Sequence, residues 1–410
     1  MFAIARAKYA FNGIAGKEPD WDALNESIRP RIVQAETAHD AQAYFLALRD
    51  FTQAFHDGNV DLGGDQIQVA LFQSQTEGGY GLALRELDDG RVLVSYVMPN
   101  GPAEAAGMQL RAQVTAFNGQ PISDAINAVT LWDSLSLESS ARYQRLRYLL
   151  RAPLNTSASI TFTNPGAPEK TVTLLAIAER VSFSTTSYFV FYDPTALPVE
   201  SKILPSGAGY IKLSSTSDNP EVINALFETA LNDFAIANVS GLIIDLRVVV
   251  NLAASITGPL GLAGFLTDRP ILLGQMQTIN PDTGKFKNSG PASFFSEHAD
   301  NFKFNKIILL VGPGCSGLCE LEAYAITQLP NVSVIGQFST AGTYSDVALG
   351  QFLMPEGFKL QIPTGRFVLA DGGLLIEGQG IPLTTRVPVD ESTVFTTEDV
   401  ILQTAEAQFK

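Results

Sequence analysis

The residues best suited to chemistry lie in one short segment, where an apolar stretch is followed by small residues. Residues 306–311 predict a buried strand, and residues 318–328 have the apolar spacing of a helix. Cys315, Ser316 and Cys319 lie between these elements or at the start of the helix. Because a helix N-terminus favours developing negative charge, a hydroxyl or thiol placed there could act as a nucleophile.

The two cysteines have three readings. Cys319 falls in the first turn of the predicted helix, where a thiolate would be favoured. Cys315 and Cys319 could instead be small buried side chains of the core. Their i,i+4 spacing also lies near the limit for a disulfide, if the chain resides outside the cytoplasm. A chain with only two cysteines is not built on a disulfide scaffold.

Alternating strands and helices in the second half of the chain must position this turn. Gly209–Leu213, Gly241–Leu246 and Val332–Ile335 read as strands, and Pro220–Asn238 reads as a helix. Gly241–Leu246 is almost entirely apolar, which is typical of a strand covered on both faces. The pattern predicts an α/β core with a parallel or mixed sheet over residues 181–410.

Two further domains are expected ahead of this core. Residues 1–64 read as helical, with one helix that Pro30 interrupts and another from Ala43 to Phe55. Residues 65–180 read as a compact β-rich domain of short strands and two short helices, in which Ile67–Leu71 alternates like a strand. The class is therefore α/β for the core and α+β for the whole chain.

Composition and charge exclude several classes of function. The chain has 410 residues, 46% of them hydrophobic and 17% charged, which is enough apolar material for real cores. Its net charge of −15 repels phosphate backbones, so nucleic acid is not an expected partner. No apolar stretch reaches the ~18 residues of a membrane-spanning helix. His39, His56 and His298 form no Cys/His cluster, so we expect neither a metal site nor a cofactor.

The segment around the first glycine cluster resembles a PDZ domain. Residues 91–97, Asn100–Gly107 and Asn118–Ile122 match its strand and later turns. The candidate peptide-binding residues form its Gly-rich turn: Gly79, Tyr80, Gly81 and Leu82. The resemblance implies that N–H groups of this turn bind a peptide's terminal carboxylate while the peptide adds to the sheet edge. The glycines could also serve only as turn residues.

The order of helical start, PDZ-like domain and α/β core resembles the tail-specific (C-terminal processing) serine peptidases, in the branch of the tricorn core and the retinoid-binding proteins. Gly209–Leu213, Gly241–Arg247 and Glu377–Ile381 resemble segments of that family, and Val311–Glu320 resembles its nucleophile turn. The resemblance implies a core of the ClpP/crotonase type and polypeptide or protein C-termini as partners. The N-terminus has no signal-peptide pattern, so the sequence leaves open a cytosolic protein or one whose leader has been removed. The resemblance favours the second, an extracytoplasmic or secreted protein.

The nucleophile position departs from the family pattern. The family places its serine three residues before the glutamate that begins the helix, which is Glu320 here. Gly317 occupies that position, and Ser316 lies one residue too early. Because a displacement of ~1 Å can already cost about 100-fold in rate, Ser316 is expected to be a poor nucleophile.

The bases and the oxyanion loop of the family are altered as well. One branch carries a histidine where this chain has Asn59, which cannot accept a proton near neutral pH. The other branch uses a lysine, and residues 336–343 contain none. His56 could reach the site as a base, or it could only end a helix, where the helix dipole favours it. Glu377 could be the supporting acid of the family's site or only a carboxylate at the end of a strand. Val248–Ala254 replaces the family's glycines with β-branched and other side chains.

These changes together predict a pseudoenzyme that binds polypeptide, with hydrolysis lost or strongly impaired. One alternative is an active serine endopeptidase that uses Ser316, assisted by His56 or Glu377. Another is an interaction protein with a vestigial groove. Because the family carries its base on the turn at residues 57–59, we expect this turn to face Gly317 across the groove.

Overall fold

The N-terminal helices pack around a cluster of aromatic rings. The computed structural model describes residues 1–63, 66–187, 197–214, 220–248, 261–280, 282–290, 292–295, 297 and 300–409. The first elements are α1 (Phe2–Lys8), α2 (Trp21–Ala38), α3 (Ala41–Thr52), β1 (Asp61–Gly63) and α4 (Gln66–Thr76). The Asp20 carboxylate caps α2 by accepting bonds from two backbone N–H groups, and Asp40 caps α3. Tyr9, Trp21 and Phe55 meet edge to face beneath these helices.

Three sequence predictions in this region are wrong. Pro30 does not interrupt α2, because the buried side chains on both sides of it hold the helix against the core. The helix predicted to end at Phe55 stops at Thr52 and continues as turns. Ile67–Leu71 belongs to the helix α4 and not to a strand. Ile67 and Leu71, four positions apart, would share one face of a helix as well as one face of a strand, so this short run does not distinguish the two.

The next part of the chain is a small antiparallel sheet with helices against it. Its elements are β2 (Gly78–Gly79), β3 (Leu82–Glu86), β4 (Val92–Val97), α5 (Pro102–Ala105), β5 (Gln113–Phe117), β6 (Gln120–Pro121), α6 (Ile122–Asn127), α7 (Glu138–Leu149), β7 (Arg151–Ala152), β8 (Ser157–Thr163), β9 (Lys170–Leu175), β10 (Ile177–Ala178) and α8 (Val181–Ser184). The strand order is β3-β4-β5-β8-β9, with β6 beside β5, so β3 is an edge strand. The helix α7, which sequence reasoning missed because most of its residues are polar, packs beside β3.

The second half of the chain forms the α/β core. Its elements are β11 (Val199–Ile203), β12 (Gly209–Leu213), α9 (Pro220–Ile236), β13 (Gly241–Asp245), β14 (Ile271–Ile279), β15 (Phe286–Asn288), β16 (Ser293–Phe295), β17 (Lys306–Leu310), α10 (Leu318–Thr327), β18 (Val332–Gly336), β19 (Ser345–Asp346), β20 (Gln351–Leu353), β21 (Lys359–Gln361), β22 (Gly365–Leu369), β23 (Thr385–Arg386), α11 (Glu391–Val394) and α12 (Val400–Glu406). The main sheet has the order β11-β12-β13-β17-β18-β23, in which only β11 is antiparallel to its neighbour. The predicted α/β class with a mixed sheet is confirmed.

The main sheet is buried on both faces, as its apolar strands predict. In β13, Leu242 and Ile244 join the cluster under α9 and α10, whereas Ile243 joins the cluster under α12. The same alternation in β17 sends Leu309 to the first cluster and Leu310 to the second. The carboxyl ends of β12, β13, β17 and β18 therefore meet at one edge, where ligands of open α/β sheets bind.

Two smaller sheets connect distant parts of the chain. The strands β15, β14, β22 and β19 form an antiparallel sheet in that order, with β16 also beside β14. The strand β1, from the N-terminal helical part, pairs with β21, which in turn pairs with β20. The sequence pattern predicts neither sheet, because the partners of these short strands lie far away in the sequence.

A buried carboxyl on α10 yields a prediction about stability. Glu322 is fully buried, its Oε1 accepts a bond from Ala263 N (2.6 Å), and its Oε2 has no partner among the described residues. Burial raises the pKa of Glu322 to about 8, so the native state holds this proton more tightly than the unfolded chain. Its contribution to stability is therefore lost as pH rises from about 4.5 to about 8.

We expect Glu322→Gln to raise the free energy of unfolding at pH 8.5 by about 1–3 kcal/mol and to change it little at pH 5. Urea unfolding followed by circular dichroism across this range measures the difference. Glu26→Gln, on the exposed side of α2, is the matched control. Equal destabilisation by Glu322→Gln at both pH values would contradict the prediction.

Candidate active site

The predicted nucleophile turn is present between β17 and α10. The chain leaves β17 at Leu310, and Gly317 is the residue that precedes the first turn of α10. Gly317 has φ 61° and ψ −122°, a conformation that glycine adopts freely and other residues adopt only with strain. The helix that the sequence predicted to begin near Gly317 is confirmed.

The two cysteines at this turn form a disulfide. Cys315 and Cys319 are fully buried, and their Cα atoms are 5.4 Å apart. The bond connects the turn to the first turn of α10, and neither residue is a free thiol. Of the three readings of these cysteines, the structure has the local disulfide. A cysteine nucleophile is therefore excluded in this state.

Ser316 and Gly317 line a cleft of about 380 Å³ together with Asn59. Thr343 lies in its wall and connects the two sides. The Gly317 N–H donates to Thr343 O (3.1 Å), and a Cβ placed on Gly58 would lie 2.7 Å from Thr343 Oγ1. The structure thus brings the turn at residues 57–59 and the nucleophile turn to the same cleft. No hydrogen bond among the described residues involves Ser316 Oγ, which is half-buried.

Asn59 is held by hydrogen bonds on the other side of the cleft. Its side-chain amide donates to Ser345 Oγ (2.7 Å), and its backbone oxygen accepts from Gln361 Nε2 (3.3 Å). The preceding Asp57 is fully buried and accepts bonds from Asn59 N (2.9 Å) and Tyr9 Oη (2.8 Å). Burial raises the pKa of Asp57. His56 is exposed and does not line the cleft, so the structure does not bring it to Ser316.

Glu377 lies behind the cleft in a buried cluster that sequence reasoning missed. Lys17 Nζ forms an ion pair with Glu377, and both side chains are almost completely buried. Glu377 also accepts bonds from Tyr344 N (2.8 Å) and Ser136 Oγ (3.5 Å). Burial and the nearby Asp57 carboxyl raise the pKa of Glu377, while the Lys17 ammonium opposes that shift. The Glu377 carboxylate is therefore engaged by Lys17 on the side away from the cleft lining.

Glu320 organises the wall of the cleft from α10. Its carboxyl accepts bonds from Thr340 Oγ1 (2.5 Å), Gly342 N (2.7 Å) and Thr343 N (2.8 Å). It also accepts from Gly317 N (3.3 Å), which completes the turn before the helix. Burial raises the pKa of Glu320 to about 7, against these hydrogen bonds. Glu320 thus holds the segment that supplies Thr343 in contact with the nucleophile turn.

A second cleft of about 490 Å³ adjoins the first at Pro313, which lines both. It lies at the carboxyl ends of β12, β13, β17 and β18 and includes Arg85 from β3. The Arg85 guanidinium contacts the rings of both Tyr143 and Phe338 and donates to Gln337 Oε1 (3.3 Å). The two clefts give the β-rich part and the α/β core a common groove.

The remaining predicted features are buried or outside the described residues. Of the predicted oxyanion segment, only Val248 is described, and it lines the second cleft. Gly79, Tyr80, Gly81 and Leu82 are all buried, with Glu179 against Gly79 and α8 against β3. Among the described residues, no three His, Cys, Asp or Glu side chains cluster as metal ligands. No described helix is both long and apolar enough to cross a membrane.

Comparisons with known proteins agree with this architecture. Residues 207–387 match the model of peptidase family S41, and residues 93–134 match that of a PDZ domain. A chloroplastic C-terminal processing peptidase from Tetradesmus obliquus is 25% identical over 161 residues, which are 38% of this chain and 30% of that protein. The chain therefore matches about a third of the length of this relative.

Solved structures with similar folds cover the whole chain. Mature CPAF complexed with lactacystin aligns with a TM-score of 0.65 at 14% identity, covering 100% of this chain and 94% of the other. A second structure of mature CPAF aligns at 0.60 and 13%, covering 96% and 92%. At such identity the likeness concerns the fold alone. With both family models matched in the expected order, the comparisons support a tail-specific peptidase of the S41 type, with a PDZ domain ahead of the peptidase fold.

Proposed function

We propose that this protein binds polypeptide segments in the groove between its PDZ domain and α/β core without cleaving them efficiently. The observation that carries the proposal is Gly317 at the residue before α10, where the family pattern has its serine. A residue without a side chain offers neither a nucleophile nor a proton donor. The groove around it remains open, with polar and aromatic groups along its walls.

Among the described residues that line the cleft, the one carboxyl is Asp133, and no described hydrogen bond connects it to Ser316. Asn59 cannot take a proton near neutral pH, and its amide group donates to Ser345. Glu377 is paired with Lys17 and lies behind the cleft wall. Ser316 is the hydroxyl residue next in sequence to Gly317, where the family has its serine, and none of the described hydrogen bonds connects it to a basic group. A serine hydroxyl without an adjacent base is a weak nucleophile.

The groove suits a polypeptide better than a small molecule. The clefts of about 380 Å³ and 490 Å³ meet at Pro313, so together they extend past the nucleophile turn toward the PDZ domain. Arg85 gives the second cleft a cation in a chain of net charge −15, and we infer that it attracts acidic groups of the bound segment. Polypeptides and protein C-termini are the partners that the family membership favours.

The first test uses two substitutions at the same position. We expect the unmodified protein neither to react with a fluorophosphonate label nor to cleave unfolded casein, and we expect it to bind casein in titration calorimetry. Ser316→Ala should leave binding unchanged, because Ser316 Oγ makes no described hydrogen bond. Ser316→Trp should weaken binding at least about tenfold, because the indole fills the cleft.

Two outcomes would support the alternatives. Labelling and proteolysis abolished by Ser316→Ala, and kept by Ser134→Ala in the same cleft, would establish an active peptidase that uses Ser316. Absence of binding by the unmodified, folded protein would favour an interaction protein with a vestigial groove.

A second test asks what restores hydrolysis. We expect Gly317→Ser alone to remain inactive, because the new hydroxyl has no base and its backbone conformation costs about 1–3 kcal/mol in a non-glycine residue. Adding Asn59→His should give at most trace cleavage of casein, because loss of one oxyanion donor can cost about 10²–10³ in rate. Full recovery should also require a Gly-rich replacement of residues 248–254. Strong proteolysis by Gly317→Ser alone would overturn this reading.

A further inference from the structure

The peptide groove of the PDZ domain is covered by residues 181–187 of the same chain, which we call the covering segment. The strand β3 forms one edge of its sheet and α7 lies beside it, which is the kind of edge to which an extended peptide adds as a further strand. Here α8 and its flanking residues lie on this edge. The space left between β3, α7 and α8 is about 10 Å³, enough for about one water molecule, so no peptide strand can enter while α8 is in place.

One end of the covering segment is anchored beside the Gly-rich turn. The Glu179 carboxylate pairs with Arg151 (2.8 Å) and accepts bonds from the backbone and hydroxyl of Ser182. A Cβ placed on Gly79 would collide with Glu179 Oε1, so glycine is required for this approach. Because the neighbouring β10 pairs with β2, this end belongs to the folded domain.

The other end is held through groups of α7. The Arg147 guanidinium lies 4.0 Å from the ring centre of Phe183 and donates to Phe183 O (2.8 Å) and Thr186 Oγ1 (3.1 Å). Tyr143 Oη donates to Thr186 O (2.6 Å). These contacts are a ring stacked on a cation and carbonyl oxygens that accept bonds, all of which a foreign polypeptide could also supply.

We propose that residues 181–187 are an internal occupant of the PDZ groove, and that the groove takes polypeptide segments with an aromatic side chain when this occupant leaves. The incoming aromatic ring replaces Phe183 on Arg147, and backbone carbonyls of the ligand replace those of Phe183 and Thr186. Glu179 and β10 stay in place and act as the hinge. This inference rests on the proposed function, since it assigns the groove one of the polypeptide partners.

The covering segment is suited to local opening. The helix α8 has four residues, and Val181 within it is 49% exposed. Short elements held by few contacts open with smaller free energies than the core does. While the segment is bound, the apparent affinity for an external peptide is reduced by the small fraction of molecules that are open.

The test measures anisotropy of a fluorescein-labelled ten-residue peptide with one central Phe, and all variants carry Ser316→Trp to remove binding at the other cleft. We expect Phe183→Ala to increase the affinity at least about tenfold, because it releases the segment. Val181→Ala, on the same helix but facing solvent, should leave the affinity unchanged. The same peptide with Ala in place of Phe should gain no affinity from Phe183→Ala.

A milder variant and amide hydrogen exchange of residues 181–187 test the same proposal independently. Thr186→Val removes a bond that the segment accepts from Arg147 and leaves the groove itself unchanged, so it should give a smaller increase in affinity, which supports the proposal if Phe183→Ala proves unstable. Faster amide exchange at residues 181–187 in Phe183→Ala without any gain in peptide affinity would overturn the proposal. That result leaves the proposed function intact, because casein binding by the protein without Ser316→Trp tests it separately.

Discussion

The buried pair of Lys17 and Glu377 is the interaction on which the arrangement of the site depends. It joins the segment before α2 to the closing segment of the α/β core, which lies 360 residues away. The Asp57 carboxyl adds a second acid to the same buried cluster. One ammonium for two carboxyls leaves an imbalance that Tyr9, the Asn59 N–H and the Tyr344 N–H offset with hydrogen bonds. Loss of the cation would leave buried acids without a counter-charge, which usually destabilises strongly.

The nucleophile turn takes its shape from buried groups and not from the side chains that face the cleft. The disulfide of Cys315 and Cys319 and the four bonds to Glu320 fix the turn without contribution from the Ser316 side chain. Gly317 relaxes the backbone at the residue of this turn where φ is positive. Because buried groups define this shape, the side chains that face the cleft do not determine it. Function must therefore be read from those side chains and not from the fold.

The parts of the structure that were predictable are those with a strong local signal. The strands β13 and β17 are continuous apolar runs, and α10 follows a turn rich in glycine with Glu320 at the position of a capping box. The helices α4 and α7 were missed, because the first has an ambiguous short pattern and the second few apolar residues. The partnership of Lys17 with Glu377 leaves no trace in the local sequence. Nor does the sequence reveal that α8 lies on the edge of β3, since both contacts arise from tertiary packing.

The pairing of β1 with β21 has a consequence for folding during translation. The aromatic cluster under the first helices is completed by Leu360 and Ile362, and β1 finds its partner at Lys359–Gln361. A nascent chain leaves the ribosome from its N-terminus, so the first helices emerge about 300 residues before the strand that closes their core. The part of the cluster that Leu360 and Ile362 cover therefore stays exposed through most of translation. The final closure at residues 359–362 is a contact of very long sequence separation, and such contacts slow folding.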